Sequence, residues 1–152
     1  PRSPAFSDAV ARLLPGDALL GKMLQSSHAA VEDPADELVH LYEIREALQR
    51  HFGGERKAKA ALGLTDAMWK PLGRLACDEP VRQGRHRGAH LEELREATPG
   101  ELKQARKIAR ELIEAYVRWA EGCEHATERR VQERFSTGAT PAARSAKRST
   151  SE

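Results

Sequence analysis

The sequence predicts an all-α protein: a small bundle of four to six helices with a helix-turn-helix-like hairpin and disordered tails. Three observations predict it. Hydrophobic residues make up 39% of the 152 residues and aromatic residues only 5%, so the interior must be built from Leu, Ala, Val and Ile, a mix that favours helices. Apolar residues recur at three- and four-residue spacing over two long stretches. Those stretches also carry helix punctuation, with Asp33-Pro34 and Gly53-Gly54 bracketing one and Thr98-Pro99 opening the other.

In chain order, residues 1–33 hold Pro1, Pro4, Pro15 and Gly16 around two short apolar clusters, Val10, Leu13 and Leu14, then Leu19, Leu20, Met23 and Leu24. They read as a weakly helical or disordered arm parted at Pro15-Gly16, with residues 25–33 as linker to a helical domain at 34–135. Asp33 as N-cap, Pro34 in the first turn and Asp36 as a third-position acid open a helix to about Phe52. Its apolar face is Leu38, Leu41, Tyr42, Ile44, Leu48 and Phe52, with His40 and His51 at the rim or surface. Residues 55–76 read as a helix, a tight turn at Gly63, an N-cap at Thr65 and a second helix carrying Met68, Trp69, Leu72 and Leu75. Pro71 removes a backbone donor there, so this helix is bent or short.

Residues 77–90, CDEPVRQGRHRGAH, are a loop by virtue of Pro80, Gly84 and Gly88, and residues 90–97 form a short helix with Leu91 and Leu94 inward. Residues 98–120 are the best-marked helix. Thr98 caps it, Pro99 suits its first position and Glu101 completes a capping box. Leu102, Ala105, Ile108, Ala109, Leu112, Ile113, Tyr116 and Trp119 form its buried stripe. Burial at roughly 1.5–3 kcal/mol per large side chain outweighs propensity differences of a few tenths, so packing holds this helix, with the 34–52 helix as its main, antiparallel-compatible partner. Cys123, Thr127, Val131 and Phe135 extend the spacing past Gly122, and residues 136–152 form a disordered basic tail.

A formal charge of +2, from 25 basic and 23 acidic groups, is too even to make nucleic acid an automatic partner, so only local clusters argue for one. No apolar run approaches the ~18 residues that span a bilayer, and no signal peptide opens the chain, so a soluble cytoplasmic protein without a membrane partner is expected. A chain opening at Pro1 rather than Met reads as a processed product or a piece of something longer. Cys77 and Cys123 read as buried thiols; Cys123 and His125 lack a second ligand pair, so no metal and no cofactor are expected.

The basic loop is the least ordinary stretch. Arg82, Arg85 and Arg87 place three permanent charges among glycines, a setting in which guanidinium groups and backbone amides converge on a phosphate. The competing expectation is that Asp78, Glu79, Glu92 and Glu93, which flank the loop, pair with these arginines.

Two resemblances add to this reading. Leu62-Gly63 followed by Trp69 and Leu72, six and nine positions after the glycine, resembles a helix-turn-helix, which implies that Lys70 and Arg74 face phosphates or base edges. Arg85-His86-Arg87-Gly88-Ala89-His90 resembles the motif of HEPN ribonucleases, helical domains in which two motifs meet across a dimer and cleave RNA without metal. That resemblance implies His90 as general acid or base, Arg85 as stabiliser of the charged transition state and His86 as an assisting group. Arg45 with His51 and Arg118 with His125 share the spacing within helical stretches; what favours Arg85 and His90 is the polar residue directly after the arginine and the basic, glycine-containing setting.

The leading expectation is therefore a non-catalytic helical binding module that contacts nucleic-acid phosphates through Arg82, Arg85 and Arg87, helped by Lys70 and Arg74. The alternatives are a metal-independent ribonuclease using Arg85, His90 and His86, and a structural protein-interaction domain, which gains if the loop arginines are paired with acids. Nucleic acid, another protein and a second copy of the chain are all open as partners.

Overall fold

The computed structural model describes residues 4–89 and 93–136, the last three by their backbone alone. The protein is all-α. Among the described residues the helices are α1 (Pro4–Leu13), α2 (Ala18–Glu32), α3 (Glu37–Phe52), α4 (Glu55–Leu62), α5 (Asp66–Gly73) and α6 (Pro99–Ser136). Chain packing separates Pro1–Glu121, which contains the core, from Gly122–Glu152.

The segment expected as a linker, 25–33, is instead largely the second half of α2, whose Leu20, Met23, Ser26 and Ala30 are buried. Asp17 explains where α2 starts. One carboxylate oxygen accepts from the Leu20 amide at 2.9 Å, satisfying a donor that the helix leaves unpaired, and the other accepts from the Tyr116 hydroxyl at 2.8 Å. The N-terminal arm thus joins the core, because a tertiary partner buries apolar surface that local propensity alone does not reveal.

Residues Pro34–Asp36 form a single 3-10 turn, so α3 begins at Glu37 rather than at Pro34. Leu38, Leu41, Ile44 and Leu48 are buried, and the helix stops at Gly53, whose φ of 72° is left-handed backbone that suits glycine. At the start of α6 the capping box forms in both directions. The Glu101 amide donates to Thr98 Oγ1 at 3.2 Å, and the Thr98 amide donates to the Glu101 carboxylate at 2.8 Å.

The two long helices run in the same direction, which corrects the antiparallel expectation. Glu37, at the start of α3, meets Arg106, while Phe52, at its end, meets Trp119 with ring centroids 5.0 Å apart. α2 runs opposite to both, with Ser26 donating to Glu43 on α3 and Asp17 reaching Tyr116 on α6. A parallel pair needs a connection that carries the chain back to its starting end, and residues 53–98 are that connection.

Along it, α4 ends at Gly63 (φ 64°) and α5 fully buries Trp69 and Leu72. Pro71 lies inside α5, which is eight residues long and passes into a single π turn, Arg74–Asp78. Residues 93–98 are not helical: the Arg82 amide donates to Arg95 O and the Arg95 amide to Pro80 O, both at 2.9 Å, forming a parallel bridge between Val81 and Arg95. Val81 and Ala97 are buried and anchor the two sides of this bridge. Of the tail expected at 136–152, Ser136 instead ends α6, and the rest, like Leu91, lies outside the described residues.

Candidate functional site

The arginine loop is a folded turn. The Arg85 amide donates to Ala76 O at 2.6 Å, and a Cβ on Gly84 would lie 3.0 Å from Val81 O and 3.2 Å from Ala76 O, so a larger residue there would crowd two backbone carbonyls. From it, each arginine reaches a carboxylate in a different part of the chain. Arg82 Nε is 3.4 Å from Glu96. Arg85 Nη1 is 3.3 Å from Glu46 on α3. Arg87 pairs with Asp36 in the turn before α3, and its Nε donates to Gly84 O at 2.8 Å.

These partners differ from the flanking acids named from the sequence. Glu79 instead faces Arg95 at 3.5 Å and Arg74 at 4.0 Å, and Glu92 lies outside the described residues. Arg95 also binds Glu101 through two guanidinium nitrogens, at 2.8 and 2.9 Å, tying the bridge to the start of α6. This hydrogen bond, with that from the Thr98 amide, holds the Glu101 carboxyl down at about 2. Lys70 is paired with Asp66 at 2.5 Å within α5. Lys59 binds the same carboxylate, and the two ammonium groups, Lys59 first, bring Asp66 down to about 2. His86 is exposed, and His90 lies outside the described residues.

Beneath the loop lies a cluster that the sequence reading missed. The Arg85 and Arg45 guanidinium groups sit 5.2 and 5.3 Å from the Tyr42 ring centroid, and Arg45 lies 5.1 Å from Trp69 as well. Arg45, at 12% exposure, donates to Glu55 at 3.2 Å. A Cβ on Gly73 would overlap this guanidinium, so the glycine inside α5 is the passage through which Arg45 reaches Trp69. A glycine within a helix is the one sequence signal that could have marked this contact. Burial pushes both the Tyr42 hydroxyl and the Cys77 thiol beside it up, so Cys77 is held as the neutral thiol at neutral pH and is not an activated nucleophile.

Two concavities flank α3. One is a groove of about 400 Å³ between α2 and α3, with Met23, Ala29 and Ala47 along it and Lys22, Glu43, Glu46 and Arg50 of both charge signs around it. His40 lines this groove, its ring nitrogens 3.7 Å from Asp33 and from Glu43. The other is a cavity of about 230 Å³ bounded by α1, α2, α3 and α6. At its edge the fully buried Glu37 carboxylate takes two bonds from Arg106, at 2.5 and 2.7 Å.

Of the two cysteines expected to be buried, Cys77 is half-buried and Cys123 is exposed, because the turns of α6 beyond Gly122 carry mostly exposed residues. Among the described residues no group of three or more His, Cys, Asp or Glu is placed to hold a metal ion, and no helix is long and apolar enough to cross a membrane. No protein-family model, curated protein or solved structure matches the chain.

Proposed function

We propose that this chain is a non-catalytic helical module that binds a protein partner along the α2–α3 groove, with the arginine loop acting as an internal brace. One observation carries the reading: Arg82, Arg85 and Arg87 are compensated one for one by Glu96, Glu46 and Asp36. Phosphate binding draws its affinity from cations left free to displace counterions. A face in which each guanidinium already has a carboxylate neighbour repels a phosphate about as much as it attracts one. The groove, by contrast, offers small apolar residues within a rim of both charge signs, the composition that suits a polypeptide surface.

The test has two arms. In a titration of labelled RNA and labelled duplex at about 50 and 200 mM salt, negligible binding is expected. Salt-sensitive binding that is lost in an Arg82/Arg85/Arg87 triple alanine variant overturns the proposal and reinstates nucleic-acid phosphates as the target, with Lys70 and Arg74 as the next positions to examine. In nuclease-treated extract, a partner that crosslinks to Lys22 and is lost on Ala47→Arg is expected; a partner indifferent to Ala47→Arg counts against the groove. The ribonuclease reading has its own signature in the same samples, EDTA-resistant RNA cleavage lost in Arg85→Ala and in His90→Ala.

A further inference from the structure

We propose that the cavity bounded by α1, α2, α3 and α6 is a binding site for a small monocarboxylate with a branched-aliphatic or single-ring body, whose carboxylate sits on Arg110. The apolar part of the wall is Phe6, Ala30, Leu41 and Ile113, of which the last three are buried, and Val31 stands at the edge with 76% of its surface exposed. Such a wall favours an apolar occupant.

The charged part selects its sign. Glu37 and Arg106 neutralise each other through the two bonds described above. Arg110, one helical turn further along α6, lines the same cavity at an exposed position, and its guanidinium forms no ion pair or hydrogen bond with any other described residue. The cavity therefore carries one uncompensated guanidinium against an apolar wall, and a carboxylate is the group that this planar donor binds with two parallel hydrogen bonds. A primary amine would meet that charge unfavourably, and a neutral amide would forgo the charge assistance.

Size narrows the class further. A volume of about 230 Å³ is below the roughly 300–1,000 Å³ of drug-sized pockets and corresponds to about eight waters at ~30 Å³ each. A nucleotide or a long acyl chain exceeds it, whereas a branched acid of five or six carbons or a phenyl-substituted short acid is accommodated.

The experiment titrates the full chain with 4-methylpentanoate and with 3-phenylpropanoate, and in parallel with the corresponding primary amides, following backbone amide resonances. Saturable one-to-one binding is expected, with shifts at Ala30, Val31 and Ile113 and amide affinities about ten-fold or more weaker. Arg110→Gln removes that preference and Arg110→Lys restores part of it. Ala30→Phe fills the cavity and abolishes binding; should it fail to fold, Val31→Trp, at an exposed position, obstructs the mouth instead. Equal binding of acid and amide, shifts centred on the 82–87 loop, dodecanoate binding far more tightly than the six-carbon acid, or no saturation at all would each overturn the proposal. None of these outcomes depends on whether a protein occupies the α2–α3 groove.

Discussion

The three-helix body and the connection that crosses it are held by different forces. Where α2, α3 and the first part of α6 meet, the contacts are mainly apolar and several side chains are wholly buried, among them Leu20, Met23, Leu38, Ile44, Leu48 and Leu112. Among the described residues of 79–98, two apolar anchors, Val81 and Ala97, are buried, and the segment otherwise relies on a short backbone bridge and arginine–carboxylate pairs that are partly open to water. Apolar burial is not screened by salt and tolerates little loss of volume, whereas exposed pairs are individually weak and yield to salt. The body should thus set the stability of the molecule and the connection its local openings.

The largest effect belongs to the body. Leu112→Ala removes a side chain with no exposed surface and is expected to cost about 2–5 kcal/mol in denaturant unfolding; a cost under about 1 kcal/mol would mean the core is looser than its burial indicates. Next comes Arg106→Ala. It strands the Glu37 carboxylate, 2% exposed, and should cost up to about 3 kcal/mol, with partial recovery in the Arg106→Ala/Glu37→Leu double variant. Where body and connection join, Gly73→Ala pushes Arg45 from its place on Trp69 and should cost about 1–3 kcal/mol; a fully additive effect when combined with Arg45→Ala would refute the passage role.

At the start of α6, Glu101→Gln should cost about 1 kcal/mol near neutral pH. Glu101 titrates at about 2 in the folded chain and near 4.5 without its partners, so its contribution is complete above 4.5 and disappears as pH falls through about 2. The substituted protein should therefore show a flatter loss of stability over that acid range, measured by thermal melts. The smallest effect is in the loop. Arg85→Ala should change stability by less than about 1 kcal/mol, and its coupling to Glu46→Ala in a double-mutant cycle should shrink in about 1 M salt. Hydrogen exchange at 79–98 that is slower than in the body would reverse the whole ranking.

The helical elements were legible where signals are local. Thr98, Pro99 and Glu101 mark the start of α6 within four residues, and Gly53 marks the end of α3, because caps and left-handed turns are formed by neighbours in sequence. The period of α6 likewise identifies Ala105, Ile108, Leu112 and Tyr116 as buried. α2 was less legible, since Leu20 and Met23 stand between Pro15-Gly16 and Ser26-Ser27 and only a partner supplied by α3 and α6 makes the segment a helix worth forming.

The site was less legible still. Arg85 is 39 residues from Glu46, so charge spacing along the loop says nothing of its partner. Only the local acids were visible, and of the two carboxylates that hold Arg95, one is flanking Glu79 and the other, Glu101, is already used as a helix cap. The sense of α3 relative to α6 was hidden for the same reason, being set by how residues 53–98 fold back rather than by either helix.

The parallel course of α3 and α6 also bears on how the molecule is made. Leu20, Leu38 and Leu41 emerge from the ribosome well before residues 105–120, which supply the wall opposite them. A nascent chain paused before that point exposes a sticky half-core, the kind of surface that chaperones shield until synthesis resumes.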